Sequence, residues 1–370
     1  MIDASSSASN LQIFRWRARG DGRLPLIEAA PGRGSAESWE AKVRPGLSAY
    51  AGEPARAAAS LEPLIDYALG KLGSDRAALD RAAIHLRATA GLRLLPEDQQ
   101  AEILDSVRAY LAATGFGTAS ARVVSGAEEG VYGWLTVNYL LGHLEHGGPF
   151  PTVGALDLGG ASTQITFEPL DFPRAHGQVV DLGGNTYHLY TQSYLGLGQD
   201  QARARVDSPE CYLTGYPLAG GRTGGGDFDA CGAAIRAELT VPCSPDDEPC
   251  SLFGSYQPPV YGDFLAFSVY AYTADYFGLA ERLRPAELAA AGRAFCATDW
   301  QEWVAREPAV ADDRYAPTYC FAAAYIEALL TDGFGFAAGT ERITAPLRVQ
   351  GDPVGWTLGA LLYELAGSAD

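Results

Sequence analysis

The chain has 370 residues, 47% of them hydrophobic, which is enough for two cores and too apolar for a disordered or fibrous protein. A formal charge of −18, from 45 acidic against 27 basic residues, argues against nucleic-acid binding, because that needs a basic face to displace counterions. Solubility accounts for such a charge, yet a small anion can still bind where amides and a divalent cation outweigh the overall field.

The first residues predict a tight β-hairpin: an apolar strand ending at Asp3, the small run Ala4-Ser5-Ser6-Ser7, and a returning strand over Leu11 to Arg17. Leu24 to Ala29 gives a third strand, and the Pro/Gly-rich stretch from Pro31 to Pro54 a surface loop. Pro54 opens a helix running to about Leu72, with Leu61, Leu64, Ile65, Ala68 and Leu69 on one face. Ile84 to Thr89 reads as a short buried strand. Thr89 at its end either orients a metal-bound water or caps the next helix. A helix from Pro96 to about Ala113 ends at Gly115, and Val123-Val124 is another strand. Ser125-Gly126-Ala127-Glu128-Glu129-Gly130 then leads into an apolar helix from Glu129 to about Leu144. A carboxylate at that point either takes a proton from water in a cleft or compensates the helix N-terminus.

Leu156-Asp157-Leu158-Gly159-Gly160-Ala161-Ser162-Thr163-Gln164 repeats the opening pattern. Its paired glycines allow a backbone approach that a Cβ would block, and the serines of the first copy offer hydroxyls as well as amides to phosphate. Two such hairpins imply related half-domains facing one polyphosphate, with Asp3 and Asp157 placed to hold a hard cation through water. Beyond lie a strand around Tyr187 to Tyr190, a turn at Gly196-Leu197-Gly198, a helix near Gln199 to Val206, and an irregular Gly-, Pro- and Cys-rich insertion from Ser208 to Pro259. Phe264 to Phe277, Pro285 to Phe295 and Ala322 to Leu330 read as helices. The end gives one strand, Leu347 to Val349, and one helix, Gly355 to Leu365. Strands alternating with helices predict an α/β architecture.

Cys211, Cys231, Cys243, Cys250, Cys296 and Cys320 all lie in the second half without a Cys-x-x-Cys pair, which disfavours zinc. They read as disulfides of an oxidising compartment or as buried thiols. His85, His143, His146, His176 and His188 have neither metal nor triad spacing, and no Walker-type phosphate loop occurs. No stretch reaches the ~18 uninterrupted apolar residues of a membrane span. Only Met1 and Ile2 precede Asp3, so a longer natural chain with an upstream leader is expected.

Several segments in order carry a resemblance: Asp3-Ala4-Ser5-Ser6-Ser7, Ala88-Thr89-Ala90-Gly91-Leu92-Arg93, Ser125 to Trp134 with Thr136 to Tyr139, Asp157 to Gln164, Gly262 to Ser268, Tyr319-Cys320-Phe321, and Gly355-Trp356-Thr357-Leu358-Gly359. Together they resemble the nucleoside triphosphate diphosphohydrolases, or apyrases, over nearly the whole length. The resemblance implies the fold of actin, sugar kinases and heat-shock ATPases: two ribonuclease-H-like domains with the active site in the cleft between them. One lobe would take residues 1–125 plus 347–370, and the other 126–346 with a disulfide-stapled insertion.

The implied activity is divalent-cation-dependent hydrolysis of nucleoside tri- and diphosphates. Glu129 would activate the attacking water, Ser162 and Gln164 would place it, and Asp3, Thr89, Glu129 and Asp157 would act on Ca²⁺ or Mg²⁺ mainly through bound waters. Ser5, Ser6, Ser7, Gly159, Gly160, Ala161 and Ser162 would hold the phosphates, and Trp356 and Tyr319 the base. Ser5 departs from the glycine usual in the family. The same resemblance implies the pairs Cys211–Cys231, Cys243–Cys250 and Cys296–Cys320, and a secreted or periplasmic monomer of bacterial type. The alternatives are an exopolyphosphatase or guanosine pentaphosphate phosphatase of the same superfamily, and a nucleotide-switched binding protein.

Overall fold

The computed structural model describes residues 1–20, 23–30, 39–73, 75–145 and 151–367. Part of the expected Pro31–Pro54 loop and His146 lie outside the described residues. The first half builds on strands β1 (Ile2–Ala4), β2 (Ser9–Gln12), β3 (Phe14–Arg17), β4 (Leu26–Ala29), β5 (Glu40–Val43), β6 (Ala83–Ala88) and β7 (Thr118–Val123). Five of them form a sheet in the order β5-β2-β1-β6-β7, while β3 and β4 pair apart as a hairpin. Helices α1 (Pro54–Ala59), α2 (Glu62–Leu72), α3 (Arg76–Arg81), α4 (Ala90–Arg93) and α5 (Glu97–Ala112) accompany this sheet. Ile2, Leu86, Leu64, Ile103 and Val107 join in one core there, so the apolar stripes of α2 and α5 meet the buried face of the strands.

The second half opens with α6 (Gly126–Leu141), followed by β8 (Gly154–Leu158), β9 (Ser162–Phe167), β10 (Gly177–Leu182), β11 (Asn185–Leu195), α7 (Gln199–Val206), α8 (Phe228–Leu239), β12 (Phe264–Ser268) and α9 (Val269–Tyr276). It continues through α10 (Pro285–Cys296), α11 (Trp300–Arg306), α12 (Tyr319–Ala328) and β13 (Ile343–Thr344). Its sheet runs β10-β11-β9-β8-β12-β13. In each sheet the strand carrying the key aspartate pairs antiparallel to the strand of its own hairpin and parallel to the strand on its other side. The correspondence extends to register: Asp3 lies opposite Asn10, and Asp157 opposite Gln164. The chain is a mixed α/β fold of two sheet-and-helix domains.

After the short hairpin of β14 (Arg348–Val349) and β15 (Asp352–Pro353), helix α13 (Thr357–Gly367) packs along α6. Arg87 of β6, buried, pairs with Glu364 of α13, and Thr357 Oγ1 donates to Gln12 Oε1 at 2.7 Å, so the last helix ties the first sheet to α6. Disulfides Cys211–Cys231, Cys243–Cys250 and Cys296–Cys320 are present, and no free cysteine remains. The first holds the chain onto α8 and the third joins the end of α10 to the start of α12.

Several elements differ from the sequence reading. The Pro54–Leu72 helix is two, because Pro63 fits only a first turn and restarts α2 after Ser60 caps α1. Phe264–Phe277 is not one helix: Phe264 to Phe267 is a continuous apolar run held between parallel strands β8 and β13, a pattern that periodicity cannot separate from a buried helix. Within the Ser208–Pro259 insertion, α8 forms where Asp227 caps a run burying Phe228, Cys231, Ile235 and Leu239. Glu40–Val43 pairs with β2 instead of looping. The Tyr187–Tyr190 strand extends to Asn185–Leu195 and turns back on β10 through Gly183-Gly184, both at positive φ. The sequence pattern does not mark α3, α4 or α11 as helices.

Gly359 shows how closely α13 and α6 approach: a Cβ there would lie 1.9 Å from the Tyr132 carbonyl oxygen, and its amide donates to Thr136 Oγ1 at 2.8 Å. Gly359→Val should lower stability by about 2–3 kcal/mol, the scale of overpacking a filled interface. Thermal unfolding measures this, and an unchanged midpoint would show that the two helices are not packed as described.

Candidate functional site

Both aspartate hairpins end on one cavity of about 280 Å³ in the cleft between the sheets. Asp3, Ser5, Ser6, Ser7, Thr89, Glu129, Asp157, Gly159, Gly160, Ala161, Ser162 and Trp356 all line it. The loops are braced from behind. Gln199 N donates to Gly159 O at 2.9 Å, and Asp200 N and Gln201 N donate to Gly160 O at 2.9 and 3.1 Å, so the start of α7 takes up the carbonyls of the second loop. Among the described residues, the amides of Ser6, Ser7, Gly160 and Ala161 have no acceptor, which leaves donors for an anion in an otherwise acidic chain. Ser5 lines the cavity but its hydroxyl is turned inward, donating to Ala8 O at 2.9 Å.

Glu128 and Glu129 divide two tasks. Glu128 accepts from Ser125 N at 2.7 Å while Ser125 Oγ accepts from Glu128 N at 3.1 Å, a capping box completed by the Arg122 ion pair at 2.9 Å. One residue further round the helix, Glu129 is buried and faces the cavity. Arg93 Nη2 donates to Glu129 Oε2 at 2.7 Å and to Ser162 Oγ at 3.3 Å. Gln164 Nε2 lies 3.1, 2.8 and 3.0 Å from Glu129 Oε2, Ser162 Oγ and Ser193 Oγ. Thr89 occupies an N-cap position yet makes no side-chain capping bond, so its hydroxyl is free for the cavity that it lines.

Burial, then the Glu129 charge, pushes the Asp3 carboxyl up to about 8, against the hydrogen bond from Asn10 Nδ2 at 3.3 Å. Burial and the same glutamate push Asp157 up to about 7. Burial raises Glu129 too, opposed by the Arg93 guanidinium. Three carboxylates therefore line one cleft, with Arg93 paired to Glu129. Asp3 Oδ1 and Asp157 Oδ1 are buried with no hydrogen-bond partner, one from each hairpin. That is the donor set of a hard cation. Among the described residues no three His, Cys, Asp or Glu side chains converge to ligate one ion directly, so water would have to complete its shell. Ser268 adds a further hydroxyl to the cavity lining: it sits at φ +58° where β12 passes into α9, a strained conformation for serine, and its side chain opposes the rise that burial gives the Asp157 carboxyl.

A second cavity of about 370 Å³ adjoins the first, sharing Ser7, Lys42, Gly160, Val269 and Tyr272 with it. Tyr319 lies here, stacked on Tyr276 at 3.9 Å, together with Tyr272 and Tyr315, whose rings are 62% and 46% exposed. Trp356 stays in the first cavity and is 6% exposed. The structure thus separates the two aromatic residues expected around a base. Arg93, Ser268, Lys42, Tyr272 and Tyr315 were not singled out from the sequence. The first two stand within quoted motifs, whereas nothing marks a lone lysine on an edge strand or scattered tyrosines.

The chain matches the GDA1/CD39 (nucleoside phosphatase) family over residues 1–211 and 219–369. It is 31% identical to "Probable apyrase 5" of Arabidopsis thaliana over 407 residues, covering 98% of this chain and 81% of that protein. It is 32% identical to "Ectonucleoside triphosphate diphosphohydrolase 8" of Gallus gallus over 420 residues, covering 98% and 81%. Among solved structures, a nucleoside triphosphate hydrolase of Neospora caninum superposes with a TM-score of 0.65 at 15% identity, over 99% of this chain and 92% of that one, which establishes the two-domain actin-like fold.

Gly198 supports the second loop by contact: a Cβ there would fall 2.2 Å from Ala161 N and 2.4 Å from Ser162 N. Gly198→Ala should displace that loop and weaken protection from hydrogen exchange of the Gly159 amide, bonded to Ser162 O, and of the Gln199 and Asp200 amides, bonded to Gly159 O and Gly160 O, while exchange over the first sheet stays unchanged. Wild-type exchange at Gly159, Gln199 and Asp200 would refute the bracing contact.

Proposed function

Because the chain belongs to the GDA1/CD39 nucleoside phosphatase family, we propose that it hydrolyses nucleoside tri- and diphosphates, using a divalent cation and a water activated by Glu129. The observation that carries this reading is the Arg93–Glu129–Gln164–Ser162 network, buried between the two hairpins and open to the same cavity.

Ser6, Ser7, Gly160 and Ala161 present amides to the terminal phosphate, and Ser162 and Gln164 fix the position of the attacking water. Glu129 accepts a proton from that water as its oxygen bonds to phosphorus. The bond from phosphorus to the bridging oxygen breaks, and its electron pair stays on the leaving phosphate. The Arg93 guanidinium opposes the rise that burial gives the Glu129 carboxyl and so favours its ionised, proton-accepting form. Asp3 and Asp157, with Thr89 and Glu129, would hold Ca²⁺ or Mg²⁺ mainly through water. The ion would supply charge neutralisation on the phosphate oxygens. Alignment and charge neutralisation supply most of the acceleration in phosphoryl transfer, so these groups suffice for the reaction.

The tyrosine cavity favours nucleotides over inorganic polyphosphate. Exposed Tyr272 and Tyr315 beside Tyr319 offer stacking faces in the cavity that adjoins the hairpins, and stacking tolerates different bases. A polyphosphate has no use for them. Trp356 then supports the phosphate end of the cleft. We assign residues 1–125 plus 347–370 to one lobe and 126–346 to the other, on the support of the Arg87–Glu364 and Gln12–Thr357 contacts. Three disulfides support a secreted or periplasmic protein.

A phosphate-release panel of nucleoside tri-, di- and monophosphates tests the activity. Tri- and diphosphates should be cleaved and monophosphates spared, with chelator abolishing turnover and Ca²⁺ or Mg²⁺ restoring it. Glu129→Gln should lower kcat by ~10²–10⁴ with KM little changed, the range expected for a positioned base. Normal turnover by that variant would remove Glu129 from the role.

A further inference from the structure

Lys42 occupies the junction of the two cavities and lines both of them. It extends from β5 opposite Asn10, whose side chain holds Asp3. Among the described residues it has no ion-pair partner. Its electrostatic neighbours are the cations Arg44 and Arg314 and a single carboxylate, Asp3, and partial desolvation with Arg44 lowers its ammonium pKa from the ordinary value. Arg44 and Arg314 are occupied elsewhere: Arg44 Nη2 donates to the Tyr315 hydroxyl at 2.7 Å, and the Arg314 guanidinium lies 5.0 Å over the Tyr315 ring. In a chain of net charge −18, an uncompensated ammonium between a phosphate cavity and an aromatic cavity is a place that calls for an anion.

We propose that Lys42 binds the phosphate adjoining the ribose and thereby sets the rate of nucleoside diphosphate cleavage relative to triphosphate. The inference rests on the nucleotide reading of the cleft. With the terminal phosphate between the hairpins and the base among the tyrosines, the sugar-proximal phosphate must pass beside Lys42, which is the residue with a side chain on both cavities and a charge of the needed sign.

The consequence differs between substrates. In a diphosphate the sugar-proximal phosphate is the leaving group. As water oxygen bonds to the terminal phosphorus and the bridging bond breaks, the electron pair moves onto an oxygen of that phosphate. Negative charge grows beside the ammonium, so Lys42 stabilises the transition state more than the bound substrate. In a triphosphate the leaving group is the middle phosphate, and the charge beside Lys42 hardly changes during the reaction. There the contact contributes equally to ground and transition states and shows in KM.

The experiment compares wild type, Lys42→Met and Lys42→Arg, with kcat and KM measured for ADP and ATP at saturating Mg²⁺. Lys42→Met should raise KM for both, lower kcat for ADP by roughly 10–100-fold, the worth of a charge-assisted hydrogen bond, and leave kcat for ATP within about two-fold. Lys42→Arg should recover most of the ADP rate. Lys42 is exposed, and matching unfolding temperatures would confirm that the variants are folded. An unchanged ratio of ADP to ATP turnover in Lys42→Met, with active wild type, overturns this assignment alone. A wild type that cleaves neither nucleotide overturns the reading beneath it.

Discussion

Two aspartates are held at the ends of neighbouring hairpins, in matching register, on one cavity, each with a buried carboxylate oxygen that has no hydrogen-bond partner. Glu129 joins them from α6, and Arg93 is the cation bonded within the group. Left to themselves such charges repel, and burial compounds the cost by denying them solvent. The cores must therefore impose the arrangement. Asp3 follows Ile2, wholly buried in the first core, and Asp157 follows Leu156, wholly buried in the second. Strand alternation sends each neighbouring carboxylate the other way. The apolar register drives the acids together, and a cation with a phosphate tail is the partner whose charges would relieve them.

The two halves repeat a topology without repeating its chemistry. The first loop is lined by Ser5, Ser6 and Ser7, the second by Gly159, Gly160 and Ala161. Each is held by a different brace: α7 and Gly198 support the second loop, whereas Gly91 leaves room for Ser6, whose Cα would lie 2.7 Å from any Cβ at that position. Backbone amides can attract an anion against an unfavourable net charge only if the loop cannot relax away, so rigidity behind the loops is part of their electrostatics. This explains why the turn at Gly196-Leu197-Gly198, which has no ligand-binding signature, sits directly against the site.

The paired hairpins and the cavity they share were legible because they rest on local pattern, small residues after a buried strand, whereas the choice of Glu129 as the proposed base came only through the family resemblance. Legibility failed where tertiary context decides. Phe264 to Phe267 is apolar at every position, so only its place between β8 and β13 makes it a strand. Glu128 and Glu129 look equivalent in sequence, and the capping bond from Ser125 is what distinguishes them. Arg93 could not be paired with Glu129 from the sequence, since the two lie 36 positions apart on different elements. Tyr272 and Tyr315 are exposed residues with no periodicity, and become meaningful only when the fold sets them beside Tyr319 around one cavity.

This contrast separates chemistry from selectivity. The proposed catalytic groups stand on strand ends and a capped helix, where register and hydrogen bonds leave little freedom, so their spacing is written into the chain. Lys42, Tyr272 and Tyr315 on the second cavity stand instead on an edge strand, on α9 and on the segment before α12, and all three are exposed. On the proposed function, a substitution there would change the surface offered to a nucleoside without disturbing β1, β8 or α6. The constraint would run one way: on the proposed function, the acidic cleft takes a phosphate through a bound cation and the free loop amides, and the outer rim meets whatever that phosphate is attached to.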